Sequence, residues 1–194
     1  MRRHSSGPNF RKQKKELNIP LIREIFIWIL ELAIVIALAG VIVYFVGMRT
    51  TVVGQSMNSS LQDGNQVLVN RFIYKMSKPK IGDVIVFKPN GNKNSHLYIK
   101  RVIGLPGEKI KIANGNVYIN GEVYKDDVTL DTKEAGAAAS EITLETDEYF
   151  VLGDNRTNSE DSRSANIGNV KTSMIEGRVW YRLKFKDKKA GRIE

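Results

Sequence analysis

The sequence predicts a mainly β protein, with a single N-terminal transmembrane helix followed by an antiparallel β-rich domain. Three observations carry this reading. Ile25 to Met48 is one apolar run whose only charged member is Glu31. Short runs of β-branched and aromatic residues dominate positions 49 to 194. Asn114-Gly115 and Asn120-Gly121 each stand between two such runs, and Asn-Gly is the strongest short hairpin signal because both turn positions need positive φ.

The chain divides into a basic arm at 1–24, the apolar helix at 25–48 and one β domain at 49–194, which carries a small acidic excursion at about 125–148. At about 1.5 Å per residue the apolar run would be about 36 Å long, enough for a hydrocarbon core of about 30 Å. Glu31 falls in its second turn and can stay near the headgroups, while Trp28 and Tyr44 suit the two interfaces. A cleavable signal peptide has a shorter apolar core, and a cut after Ala37-Leu38-Ala39 would leave Val41 to Val46 behind it in the membrane. An uncleaved anchor follows.

Charge sets orientation. The net charge is +9, from 30 Lys and Arg against 21 Asp and Glu. Arg2, Arg3, Arg11, Lys12, Lys14, Lys15 and Arg23 precede the apolar run, against Glu16 and Glu24, whereas Arg49 is the only basic residue in the stretch just after it. The positive-inside bias puts the N-terminus in the cytoplasm and residues 49–194 outside. Much of the positive charge therefore reads as a topological signal, which weakens a nucleic-acid reading. With no Cys and two His, Cys-rich zinc modules, disulfide frameworks and thiol catalysis are excluded.

Along the β domain the expected strands are Thr50–Val53, Gln66–Tyr74, Val84–Phe87, Leu97–Ile103, Lys109–Ala113, Val117–Ile119, Glu141–Leu144, Tyr149–Leu152 and Gly177–Lys186, with one short helix near Val170–Ile175. The acidic excursion, with its small-residue tract Ala135 to Ser140, reads as solvated surface. The basic tail after Tyr181 reads as a frayed terminus.

Three stretches carry chemistry. In Gly54-Gln55-Ser56-Met57 a serine follows a β run with glycine two residues before it, which exposes its Oγ. In Tyr98-Ile99-Lys100-Arg101-Val102-Ile103-Gly104-Leu105-Pro106-Gly107-Glu108, alternation sends Lys100 and Arg101 to opposite faces, so one basic residue must point inward. A lysine held among apolar neighbours loses solvation of its charged form, and its pKa falls from about 10.4. The alternative is that Lys100 snorkels to the surface. In Gly153-Asp154-Asn155-Arg156-Thr157-Asn158-Ser159-Glu160-Asp161-Ser162-Arg163 the polar density indicates a loop shaped by side-chain hydrogen bonds, in which Asp161 and Arg163 could pair.

Together these stretches resemble the motifs of the type I signal peptidases, membrane-bound serine proteases of the Ser/Lys dyad kind in peptidase family S26. The resemblance runs from the anchor to about Arg182 and includes Gly82-Asp83-Val84-Ile85-Val86-Phe87. It implies a β-rich catalytic domain of the signal-peptidase/self-cleaving-repressor type. It also implies an acyl-enzyme mechanism with Ser56 as nucleophile, Lys100 as general base, Ser159 as a hydroxyl bonded to the lysine amine, and Asp161 with Arg163 as a bracing ion pair. The Ser56 backbone N–H would be one oxyanion donor. Gly54 stands where some members carry a second, a hydroxyl, so a backbone group or water must serve.

The implied substrates are signal peptides of exported preproteins with small residues at positions −1 and −3. The implied enzyme is a monomer in the lipid bilayer, with no cofactor, no metal and no nucleic-acid partner. One departure stands out: the family usually continues Ser-Met-x-Pro-Thr-Leu, but here Met57 is followed by Asn58-Ser59-Ser60-Leu61. Losing proline removes a fixed φ, so a looser loop is expected. That departure leaves two alternatives, Ser59 or Ser60 as nucleophile, and a non-catalytic signal-peptidase-like assembly factor for surface proteins. A self-cleaving repressor would be soluble and carry a DNA-binding module, and no helix-turn-helix pattern is present.

Overall fold

In a computed structural model of the chain, the described residues are 19–46, 48–92, 94–125, 132, 134–183 and 190–193. Most of the basic arm, part of the acidic excursion (126–131 and 133) and the lysines of the tail (184–189) lie outside them. The chain forms two compact units, residues 1–41 and 42–194.

Helix α1 spans Ile19–Val46. It begins six residues before the apolar run, because Pro20 in a first turn has no N–H to lose. It ends before Met48, which opens a strand rather than closing the helix; Gly47 is a poor helix former and Thr50 and Thr51 are β-branched. The stretch Ile19–Val41 is long and apolar enough to cross a membrane, and its large side chains, Trp28 and Ile36 among them, are exposed.

Among the described residues the second unit holds twelve strands: β1 Met48–Thr51, β2 Gln66–Asn70, β3 Val84–Phe87, β4 Tyr98–Gly104, β5 Lys109–Ala113, β6 Asn116–Ile119, β7 Glu122–Val123, β8 Ile142–Thr143, β9 Glu148–Leu152, β10 Val170–Lys171, β11 Ile175–Arg182 and β12 Gly191–Arg192. Eight form one antiparallel sheet in the order β1-β2-β11-β3-β4-β9-β10, with β12 also on β11; four form a second, β7-β6-β5-β8. The expected mainly β, antiparallel class is what the structure shows. Asn114 and Asn120 have φ of 52° and 51°, and each Asn-Gly closes a hairpin, β5 to β6 and β6 to β7.

The middle of the large sheet is covered on both faces. Every residue of β3 is buried: Val84 and Val86 pack with Val52, Met57, Leu61, Val67 and Val69, while Ile85 and Phe87 pack on the other side with Val102, Tyr149 and Val151. β4 is buried from Ile99 to Gly104, and its end enters a third cluster with Ile110, Phe150 and Leu152.

Three expectations need correction. The helix near Val170–Ile175 is instead the two-residue β10 and a 3-10 turn at Thr172–Met174, because Thr172 donates from its N–H and Oγ1 to Asp147 O and the run is too short to nucleate an α-helix. The strand expected through Tyr74 stops at Asn70, whose side-chain oxygen accepts from the N–H groups of Phe72 and Ile73 and starts the single helical turn α2, Ile73–Met76. The tail does not fray at its end: β12 pairs with Tyr181 and Arg182, and Ile193 is buried in the first cluster. The small-residue tract is mostly exposed, as expected, but Gly136–Ala139 forms a 3-10 turn that buries Ala138 in the third cluster.

β11 shifts register against β3 between Ile175 and Gly177, and a Cβ on Gly177 would lie 2.6 Å from the Asn70 carbonyl oxygen of β2. Gly177→Ala should therefore push two central strands apart and cost about 1–3 kcal/mol. Thermal unfolding of the full chain in detergent should show this as a Tm lowered by several degrees.

Candidate active site

The site is assembled by β4 and by the two loops that follow β1 and β9. After β1 the chain makes a tight turn in which Asn58 N–H donates to Gln55 O and Leu61 N–H to Met57 O, at 3.0 and 2.8 Å. Gly54 supplies the backbone φ of 88° that opens this turn, and its N–H is held by Asp63 Oδ1 at 2.8 Å. Met57 and Leu61 are buried beneath it, leaving Ser56 half-buried at its crest.

The loosening expected from Asn58-Ser59-Ser60 is not seen. Arg182 Nη1 donates to Ser60 O at 2.7 Å and Arg101 Nη2 to Ser60 Oγ at 3.2 Å, so two cations hold the turn where proline is missing. Ser59 is exposed and Ser60 is engaged by Arg101, so neither stands in the position Ser56 occupies.

Lys100 and Arg101 both point into covered faces of β4; neither snorkels. Lys100 is 3% exposed, and its Nζ lies 2.6 Å from Ser56 Oγ. Burial lowers its pKa from 10.5 to about 8, against the opposing pull of Asp161, Glu160 and Asp154 and with a smaller push from Arg163. No carboxylate among the described residues forms an ion pair with it. Its neutral amine can therefore accept the Ser56 hydroxyl hydrogen along the line already drawn.

Arg101 cannot shed its proton, and it is neutralised instead. Its Nε and Nη2 contact the two carboxylate oxygens of Asp154 at 2.8 and 2.9 Å, and Nη1 donates to Gly82 O at 2.8 Å. This buried fork-to-fork pair was missed in the sequence. The available signal was the alternation of β4, which gives Arg101 a face of its own and demands a partner for it.

The loop after β9 is pinned by a second such pair. Asp161 Oδ1 accepts from Arg163 Nε at 2.8 Å and Asp161 Oδ2 from Arg163 Nη2 at 2.9 Å, while Oδ2 also accepts the Gly153 N–H at 3.0 Å. Arg163 Nη1 reaches Glu134 O, and the Ala137 N–H donates to Arg163 O, so the small-residue tract lies directly against this residue. A Cβ on Gly136 would collide with that same carbonyl, which is why the tract needs glycine there. The loop touches the nucleophile turn as well: the Asn155 N–H donates to Ser56 O at 3.0 Å, and its side-chain amide to Gln55 O at 3.1 Å.

Ser159 departs from expectation. Its Oγ is buried against Gly153 and has no hydrogen-bond partner among the described residues, so the bond to the lysine amine is absent from this geometry.

Ser56 and Lys100 open into a cleft of about 340 Å³, walled by residues 52–57 and 96–100 and flanked by Asn158 and Glu160. Among the described residues no three His, Asp or Glu side chains converge as a metal site.

An antiparallel β domain that follows one apolar helix in the chain, with a hydroxyl–amine pair in an open cleft, has the makings of a membrane-bound peptidase. Comparison with known proteins narrows the class: the family model described as "Signal peptidase, peptidase S26" matches residues 25–183. The chain belongs to this signal peptidase family. It is 32% identical over 177 residues to signal peptidase IB of Staphylococcus aureus strain COL and 31% identical over 177 residues to that of strain Mu50, in each case covering 83% of this chain and 90% of the relative. A crystal structure of a signal peptidase I from Enterococcus faecalis V583 is 34% identical, covering 53% of this chain and 97% of that one, with a TM-score of 0.44.

Asp161→Ala would leave the buried Arg163 guanidinium without a counter-charge and the Gly153 N–H without an acceptor. The expected cost is about 3–5 kcal/mol, read as a large drop in Tm of the full chain in detergent.

Proposed function

We propose that this chain is a serine endopeptidase that removes N-terminal signal peptides from exported preproteins, with Ser56 as nucleophile and Lys100 as general base. The observation that carries the reading is the 2.6 Å contact between Ser56 Oγ and the Nζ of a buried lysine. Neutral Lys100 takes the hydroxyl proton as Oγ attacks the scissile carbonyl carbon, and the ammonium then gives that proton to the departing amine. The acyl-enzyme is hydrolysed when Lys100 deprotonates a water in the same way.

The Ser56 N–H is placed by sequence to meet the developing oxyanion. Gly54 brings no hydroxyl there, so its contribution is conformational. Asp161 and Arg163 act as positioning residues through the loop that contacts Ser56 O. Ser159 is assigned the same supporting role, its buried hydroxyl packing under Gly153 rather than on the amine.

Small side chains at −1 and −3 are the proposed recognition elements, supported by the resemblance to the family and by a shallow wall that includes Val52, Met57 and Ile99. The proposed topology is a single pass in the cell membrane with residues 1–24 in the cytoplasm and 49–194 outside, supported by the excess of basic residues before the apolar run. A monomer suffices, since both members of the dyad come from one chain.

Two measurements test the reading. With purified full chain and a preprotein, Ser56→Ala and Lys100→Ala should each lower cleavage by at least about a thousandfold, in line with loss of an activated nucleophile. Undiminished cleavage by either variant would remove the dyad, and absent cleavage by the unaltered chain would favour the assembly-factor alternative. The second is a pH profile. The base must be deprotonated, so kcat/KM should rise with pH through the value of about 8 and level off above it; a rate flat from pH 6 to 10 would contradict Lys100 as base.

A further inference from the structure

Glu160 is a charge in the cleft that the proposed chemistry does not use. It follows Ser159 in the loop after β9 and lines the same cleft as Ser56 and Lys100. Its carboxylate is held from two separate segments: Tyr98 on β4 donates from its hydroxyl at 3.4 Å, and the Asn166 side-chain amide donates at 3.0 Å. Both partners are neutral donors. Among the described residues no Lys or Arg forms an ion pair with it, whereas Asp154 and Asp161 are each neutralised by an arginine. Glu160 is thus an oriented, solvent-facing anion beside the proposed cut.

Its reach can be bounded. The Tyr98 ring that carries the bonded hydroxyl is centred 5.7 Å from Lys100 Nζ, so the carboxylate stands one tyrosine away from the reacting amine. Extended substrate advances about 3.3 Å per residue, which places the anion within at most three or four residues of the scissile bond. The other ionisable groups on the wall do not cancel it. Lys100 is neutral in its proposed working form, and His96 lies where the cleft adjoins a second depression that Glu160 does not line.

We propose that Glu160 is a specificity-determining residue that favours substrates with a basic side chain, and disfavours acidic ones, at −2, +1 or +2. This rests on the reading of Ser56 and Lys100 as the site of cleavage. An exposed ion pair is modest, so the expected discrimination between Lys and Glu at the responsive position is about fivefold. It should shrink when salt shortens the screening length to about 3 Å at 1 M.

The test uses the full chain in detergent and a set of quenched fluorescent peptides that share one Ala-x-Ala cleavage sequence and carry Lys, Gln or Glu singly at −2, +1 or +2. The unaltered chain should prefer Lys over Glu about fivefold in kcat/KM at one or more of these positions, mainly through KM. Glu160→Gln should bring that ratio to about one, Glu160→Lys should invert it, and Glu160→Asp should keep its sign. A ratio near one in the unaltered chain, or one that persists in Glu160→Gln, overturns the proposal. Peptide cleavage that survives Ser56→Ala would overturn the site reading instead, so the two failures are told apart.

Discussion

Strand β4 sits in the middle of a sheet covered on both faces, and it places a lysine and an arginine side by side there. A buried unpaired charge is too costly to keep, and the two residues escape it differently. Arginine cannot deprotonate in a protein, so Arg101 recruits Asp154 into a bidentate pair. Lysine can, so Lys100 has no carboxylate ion-pair partner among the described residues and meets a serine hydroxyl instead. Placing an acid on Lys100 as well would have stabilised its ammonium and removed the base that the proposed chemistry requires.

That arrangement fixes what the two loops must do. The turn after β1 is held by Asp63 at one end and by Arg101 and Arg182 on Ser60 at the other. The loop after β9 is held by Asp161 and Arg163, and it in turn binds the Ser56 and Gln55 carbonyls through Asn155. Gly153 marks how close the two loops come, since a Cβ there would lie 2.5 Å from Ser56 O and would collide with Ser159 Oγ. Arg101 touches both the partner of its own charge and the nucleophile turn, so burial of the strand and placement of the serine are one structural problem.

Much of this was legible in the sequence, for physical reasons that differ from case to case. The anchor, the two Asn-Gly hairpins and most strands are written in local patterns, where a turn's φ or an apolar run decides the outcome. The three chemistry-bearing stretches were visible as local oddities, and all three meet in space: Lys100 on Ser56, and the third through Asn155 on the Ser56 and Gln55 carbonyls. What escaped was set by partners distant in the chain. The pairing of β12 with Tyr181 and Arg182, the seating of Gly136–Ala139 on Arg163 and the Arg101–Asp154 pair each join residues that no local pattern links. Val170–Lys171 became a strand because Glu148 and Tyr149 of β9 were there to pair with it. Both basic residues of β4 proved to be buried, because alternation alone does not reveal that a strand has two covered faces.

The balance around Lys100 shows why the arginines matter to a residue that neither of them touches. Three carboxylates, Asp161, Glu160 and Asp154, pull its pKa upward, yet burial wins and leaves it at about 8. At an effective dielectric of about 20, one bare carboxylate at about 6 Å would favour the ammonium by about 3 kcal/mol, or about two pKa units, nearly the whole of the observed drop. Two of the three are not bare. Asp154 and Asp161 are each paired with a guanidinium at 2.8 Å, and Arg163 pushes against the pull of Asp161, the largest of the three. Only Glu160 is without such a cation among the described residues; its carboxylate is held by Tyr98 and Asn166, both neutral donors. The buried Asp161–Arg163 pair is thus an electrostatic support of the neutral amine as well as a brace for the loop: without the arginine, the pull of Asp161 would go unopposed and favour the ammonium.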